Sequence, residues 1–243
     1  MTGTTRELWR VPEASVDASC IGERAAELVE RLQAIVAEFR DVRFASSMAA
    51  EDMVVIDAIV TARLGITIFT LDTGRLHDET VQMTARTEAH YGVDIHRVRP
   101  QSQDVASFVD QYGVNGFYDS ELAKKACCHV LKVVPLNQAL HGADAWLTGQ
   151  RRQQAVTRTE LDLREHDSER GMTKFNPIHD WTDAQVWAYL QHRQVPIHPL
   201  HDRGYPSIGC EPCTRAIRAD EEIRAGRWWW LQQENKECGL HIK

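Results

Sequence analysis

The chain has 243 residues, 43% of them hydrophobic and 26% charged, with a formal net charge of −7. That acidity argues against a protein that grips nucleic acid by bulk electrostatics, so an anionic substrate would have to be held by a local basic cluster. No stretch approaches the roughly 20 apolar residues of a membrane span, and the opening MTGTTRELWR has no apolar signal core. The expectation is a cytoplasmic protein, whose six cysteines serve a metal or catalysis rather than a disulfide framework.

Residues 1–20 show no periodicity and read as a loose arm. From Ile21 to Phe39, Ala25, Leu28, Val29, Leu32, Ile35, Val36 and Phe39 recur at helical spacing. Val42 to Ala45 reads as a strand that runs into Ser46-Ser47-Met48-Ala49-Ala50, after which Glu51 and Asp52 open a helix to Arg63. Thr67 to Leu71 is a second strand, closed by Asp72-Thr73-Gly74-Arg75 and followed by a helix from Leu76 to Tyr91. Asp94 to Val98 is a third, stopped by Pro100, and a helix over Val105 to Tyr112 leads into a helix that carries Cys127-Cys128. Ala145 to Thr148 is a fourth strand, ending in Gly149-Gln150-Arg151-Arg152. Strands alternating with helices predict a parallel, twisted α/β sheet flanked by helices. Its ligand belongs beyond the carboxyl ends of the strands, where three polar clusters fall: Ser46-Ser47, Asp72-Thr73-Gly74 and Gly149-Gln150-Arg151.

Past Arg152 the alternation fades. Thr157 to Arg170 reads as a charged, exposed loop, and Lys174 to Ile178 as one more strand. Thr182 and Gln185 form a capping box for a helix to His192. The Gly- and Pro-rich run Asp202 to Cys213 reads as a ligand loop. No linker separates two domains.

Two cysteine pairs stand out, Cys127-Cys128 and Cys210-Glu211-Pro212-Cys213. Neighbours on a helix point about 100° apart, so a group shared by Cys127 and Cys128 has to be large. A single zinc ion prefers a C-x-x-C from each side. A cubane iron–sulfur cluster gives each thiolate its own iron, so tandem cysteines can serve two corners. Lys124, Cys128 and Lys132 share one face at α-helical spacing. Near the end, Cys238 lies between Lys236 and His241, a setting that favours a reactive thiolate. Cys20 lacks such a setting. Arg224 and Arg227 are placed to fork an oxyanion, or alternatively to pair with Asp220, Glu221 and Glu222 on the surface. Trp228-Trp229-Trp230 is expected to pack under the ligand loop. His77, His90, His129, His198 and His201 have no metal-ligand spacing and are expected at the surface or as caps.

Taken together, SSMAAEDM, TLDTGRL, KKACCHVLK, TGQRRQQAVTR, GYPSIGCEPCTR, AGRWWW and KECGLH resemble the assimilatory sulfonucleotide reductases, and within them the cluster-bearing adenosine 5′-phosphosulfate (APS) reductases. The resemblance runs from about Phe44 to His241. It implies a sheet of the adenine-nucleotide α-hydrolase kind, related to the PP-loop ATPases, in one domain over 1–243 with a mobile tail from about 231. It implies one 4Fe-4S cluster per chain on Cys127, Cys128, Cys210 and Cys213. It places Ser46, Ser47 and Asp52 in the nucleotide loop and Leu71 and Gly149 near the adenosine. Lys132, Arg158, Arg224, Arg227 and His241 fall around the phosphosulfate, with Cys238 as the nucleophile. Met48-Ala49-Ala50 departs from the family, which commonly has a glycine before the alanine, so a tighter loop is expected. Leu231 stands where an acid often follows the tryptophans.

The implied reaction is reduction of APS to sulfite and AMP, through sulfite carried on Cys238 and electrons from thioredoxin or a similar dithiol protein. The 3′-phosphorylated substrate (PAPS) is the alternative, for which Arg151, Arg152 and Arg158 are candidate extra contacts. A PP-loop ATP-dependent sulfur-transfer enzyme is a further alternative, although its SGGxDS-type loop is replaced here by SSMAAED. No nucleic-acid or membrane partner is expected, and homo-oligomerisation stays open.

Overall fold

The computed structural model describes residues 7–154 and 160–231. One six-stranded sheet forms the centre, in the order β3-β2-β1-β4-β6-β5. β1 (Val42–Ser46), β2 (Ile66–Leu71), β3 (His96–Val98), β4 (Ala145–Leu147) and β6 (Met172–Phe175) run parallel to their neighbours, and β5 (Arg164–Asp167) is antiparallel to β6. From β1 the chain first winds outward through β2 and β3, then returns to β4 on the other side. The strand order therefore reverses between β1 and β4, where an open α/β sheet splits its connecting loops and leaves a crevice.

α1 (Ala18–Glu38) and α2 (Ala50–Thr61) cover one face together with α7 (Asp183–His192). α1 buries Ile21, Ala25, Leu28, Leu32 and Ile35, the stripe its spacing predicts. α2 is buried nearly all round, and that includes a charge. Asp57 accepts hydrogen bonds from Tyr91 (2.9 Å), Tyr189 (2.6 Å) and Arg193 (2.8 Å), which ties α2 to α3 (Asp78–Tyr91) and α7. On the opposite face α6 (Val134–Leu140) packs Leu136 and Leu140 against Phe69 and Trp146. The capping box at Thr182 is formed in full. No helix of the described residues is long and apolar enough to cross a membrane.

Three expectations need correction. The arm is not loose from Glu7 onward: Trp9 donates its N–H to Ile217 (3.0 Å), and its ring packs on Trp187 and His201. The segment expected as an exposed loop over 157–170 contains the edge strand β5. Its charged side chains hid it, because an edge strand with one solvated face tolerates them. The last strand ends at Phe175 rather than reaching Ile178, and Asn176 begins a turn.

Candidate active site

A cavity opens at the β1/β4 crevice. Ser46 and Ser47 come from the end of β1, Leu71 from the end of β2, and Gly149 from just past β4, and all four line it. The turn between β1 and α2 is held by short polar bonds. Ser46 Oγ accepts the Met48 N–H (3.1 Å), and Asp52 accepts both the N–H and the hydroxyl of Ser47 (2.6 Å each). Met48 has φ +62°, a left-handed conformation that costs a non-glycine residue about 1 kcal/mol, whereas Ala49, which stands where the family commonly has glycine, has an ordinary φ of −78°. Gly149 has no such freedom to give up, because a side chain there would run into the Asp52 carboxylate and the start of α2. Burial drives the Asp52 carboxyl up to about 6 against the two Ser47 bonds, which favour its charge.

The basic wall comes from the C-terminal segment. Arg224 and Arg227 both line the cavity. Arg227 donates to Ser207 (3.3 Å) and to the Ile208 carbonyl (3.1 Å), its guanidinium lies 4.6 Å from the Trp228 ring centre, and its buried Nε has no hydrogen-bond partner among the described residues. Gly209 gives it room, since a side chain there would strike the guanidinium. Arg215 and Arg218 instead take the surface reading and pair with Glu221 and Asp220.

Cys127 and Cys128 end α5 (Glu121–Cys128), while Cys210 and Cys213 bracket a single 3₁₀ turn. All four line one small cavity with Lys132 and Trp228. The turn is anchored from three sides. Glu211 donates to the Arg75 carbonyl (2.8 Å), Tyr118 OH donates to the Pro212 carbonyl (2.6 Å), and Trp228 donates to the Cys213 carbonyl (3.1 Å). Lys124 and Cys128 keep their shared spacing within α5, and Lys132, in a segment over 129–133 that winds as a π-helix, lines the same small cavity as Cys128. Lys124 is buried 4.3 Å from the Trp228 ring centre, and Lys132 turns into the space between the two cavities. Burial pushes the Cys213 thiol up to about 12; Cys210 and Cys127 add to the rise, and Lys132 and Arg227 oppose it.

The structure thus brings Ser46, Ser47, Asp52, Leu71, Lys132, Gly149, Arg224 and Arg227 around one cavity and the two cysteine pairs around a second. Arg158, Cys238 and His241 lie outside the described residues. Cys20 is exposed on α1. Trp228 is buried as expected and Trp229 is 40% exposed. His90 and His129 are exposed and His77, though buried, is the N-cap residue of α3, whereas His198 and His201 are buried, contrary to expectation. The sequence placed Thr73 and Gln150 in polar clusters at strand carboxyl ends without giving either a contact, and Thr73 Oγ1 lies 3.4 Å from Cys210 Sγ. Thr148 and Gly209 had no such signal and depend on contacts across the chain.

An open parallel α/β sheet with its ligand cavity at the β1/β4 crevice and a thiol-lined chamber against it is the architecture of an adenine-nucleotide α-hydrolase-like protein adapted to sulfur chemistry. The phosphoadenosine phosphosulfate reductase domain matches residues 41–216, and the chain belongs to that family. An adenosine 5′-phosphosulfate reductase of Burkholderia cepacia is 52% identical over 233 residues, covering 94% of this chain and 93% of the relative. One of Neisseria meningitidis serogroup B is 50% identical over 96% of each chain. In fold, the phosphoadenylyl-sulfate reductase of Candida auris superposes with a TM-score of 0.68 at 24% identity, over 84% of this chain and all of that one.

Proposed function

We propose that this chain is an assimilatory reductase that converts APS to sulfite and AMP, with Cys238 as nucleophile and a thioredoxin-like dithiol as reductant. The observation that carries the reading is a shared wall: Lys132, Cys210 and Trp228 line both the nucleotide cavity and the cysteine cavity. Relatives near half identity over most of the chain carry this activity in their names.

The chemistry follows from the substrate. APS is a mixed anhydride, so its sulfur is electrophilic and AMP is a competent leaving group. The Cys238 thiolate attacks that sulfur, the sulfur–oxygen bond to the phosphate breaks, and AMP departs with the electron pair. Lys132, Arg224 and Arg227 offset charge on the sulfate and phosphate oxygens as the bond breaks. A dithiol then attacks the Cys238 sulfur, and sulfite leaves with the electrons of the sulfur–sulfur bond. The second thiol resolves the mixed disulfide, so two electrons come from the partner. Arg151 and Arg152 have little left for a ribose 3′-phosphate. Arg151 is 2% exposed and bound to Glu51, Asp183 and the Trp181 carbonyl, while Arg152 donates to the Leu161 carbonyl (2.8 Å) and faces Asp162. That engagement favours APS over PAPS.

The donor set fits a four-iron cluster. Four cysteine side chains line one cavity, two of them adjacent on a helix, and burial raises the Cys213 thiol, a cost that a bound cation would offset. Among the described residues, no three His, Cys, Asp or Glu side chains converge as they would on a lone ion. A 4Fe-4S cluster on Cys127, Cys128, Cys210 and Cys213 supplies a fixed inorganic charge beside the phosphosulfate and ties α5 to the Cys210–Cys213 turn. Neither electron of the reaction has to come from it.

Anaerobic incubation with APS is expected to leave one sulfite-sized mass adduct on Cys238, removed by thioredoxin, with sulfite released faster from APS than from PAPS and no ATP consumed. A full adduct on Cys238→Ser, or none on the wild type, sinks the proposal.

A further inference from the structure

We propose that Gln150 contacts the substrate, presenting its amide NH2 to a hydrogen-bond acceptor of the nucleotide, and that Lys174 is the positioning residue that fixes the amide in this sense. The proposal rests on the nucleotide reading of the β1/β4 cavity. Gln150 lies just past β4, is 6% exposed, and is part of the cavity wall. Its backbone is fixed from below: its N–H donates to Thr148 Oγ1 (3.2 Å), and that hydroxyl donates to Asn176 Oδ1 (2.6 Å). Its side chain is fixed from behind. Lys174 Nζ, itself buried, donates to Gln150 Oε1 (2.8 Å) and to Glu165 Oε2 (3.0 Å). Asn176 Nδ2 donates to the same Glu165 oxygen (2.9 Å).

An ammonium group has donors and no acceptor, whereas an amide has one acceptor end and one donor end. Lys174 can therefore hold only the oxygen of Gln150, which turns the NH2 away from it. As part of the cavity wall, the NH2 is served by solvent until a ligand enters, and a ligand that displaces that solvent has to offer an acceptor in its place. The nucleotide offers several, in the purine ring nitrogens and the ribose and phosphate oxygens. The arrangement also explains the charged hairpin: Glu165 on β5 neutralises a lysine that the parallel part of the sheet would otherwise bury alone.

Gln150→Glu reverses the polarity without removing the support, because one carboxylate oxygen still faces Lys174 while the other faces the cavity. AMP binding by calorimetry is expected to weaken about ten-fold or more. The KM for APS should rise in step, with kcat little changed and the melting temperature at or above that of the wild type. A purely structural role would instead lower stability and kcat together. Lys174→Met frees the amide to turn and should weaken AMP binding a few-fold. A panel of 1-, 3- and 7-deaza-AMP locates the acceptor. If the penalty for one of them disappears in Gln150→Leu, the acceptor is on the ring; if none disappears while Gln150→Glu stays weak, it is on the sugar or phosphate. A wild type that binds AMP yet releases no sulfite from APS refutes the activity and leaves this contact standing. Gln150→Glu binding AMP within about two-fold of the wild type overturns it.

Discussion

Two clusters of buried titratable side chains flank the loop between α7 and the tryptophans, and the protein settles them in opposite ways. His77, His198 and His201 are neutral inside the protein. Burial lowers the pKa of each, that of His198 to about 3. His198 accepts the Leu200 N–H on Nδ1 (3.2 Å), so its Nε2 carries the proton and donates to Thr80 (2.9 Å). His201 donates Nδ1–H to the Tyr205 carbonyl (2.7 Å), and Trp187 meets its ring edge-on at 5.0 Å. An imidazole can shed its charge and stay buried with backbone and aromatic partners alone. The cysteine cluster has no such resting state in which it can also act as a ligand set, because a thiol binds metal only as thiolate. Burial raises the Cys213 thiol, which opposes the thiolate form that a metal ligand needs. The polypeptide gives His198 a partner on each ring nitrogen and leaves Nε2 of His77 and of His201 without one among the described residues, while the proposed function leaves the cysteines to a bound cation.

The comparison breaks most visibly at Cys213. Cys213→Ser is expected to lose iron, colour and sulfite release together in anaerobically purified protein, with the fold weakened because the turn is no longer tied to α5. Full turnover in an iron-free Cys213→Ser enzyme would show that the thiols need no cation, and the contrast with the histidines would fail.

The same contrast decides what could be read from the chain. The sheet was legible wherever an apolar run met small polar residues, as at Phe44-Ala45-Ser46-Ser47 and Trp146-Leu147-Thr148-Gly149, because burial and ligand binding act on neighbouring residues there. The cysteine pairs were legible because their chemistry is rare. The histidines were not: burying His198 takes Thr80 and Leu200, and burying His201 takes Trp9 and Trp187, partners from four parts of the chain with no local signature. For the same reason the arm passed for loose, since Trp9 reveals nothing until Trp187 and Ile217 are beside it. The π-wound segment after Cys128 was invisible to a reading that assumed 3.6 residues per turn. Gln150 was seen as part of a polar cluster, but its polarity is set by Lys174 and Glu165 on the hairpin.

A smaller effect tests the histidine side. A depressed imidazole pKa means that the unfolded chain binds the proton more readily. Stability from His198 is therefore complete above the ordinary value of 6.5 and is lost as pH falls toward 3. The expected slope is at most about 1.4 kcal/mol per pH unit. Asp52 acts the other way, since its raised value favours the folded state as pH falls from 6 toward 3.8. The wild-type slope alone is thus ambiguous, and the difference between wild type and His198→Gln isolates the histidine. Urea unfolding between pH 7 and pH 4.5 should show the variant losing less stability than the wild type over that range. Parallel curves would mean that His198 takes up its proton as readily in the folded protein as in the unfolded chain.

The smallest effect is expected at Thr73, where the polypeptide gives the cysteine cluster a little of what it gives the histidines. The Arg75 N–H donates to Thr73 Oγ1 (3.2 Å), which leaves the hydroxyl proton for Cys210 Sγ, 3.4 Å away. Thr73→Val keeps the shape and removes the donor. Because one donor of one sulfur is lost, iron content on purification should match the wild type, while chelator-driven bleaching should run about three- to ten-fold faster. The pH dependence of unfolding assigned to His198 should not move, since Thr73 touches no histidine of that cluster among the described contacts. Bleaching at the wild-type rate would mean that the hydroxyl contributes nothing to holding the sulfur, and that the cluster owes its stability to the four thiolates and the cation alone.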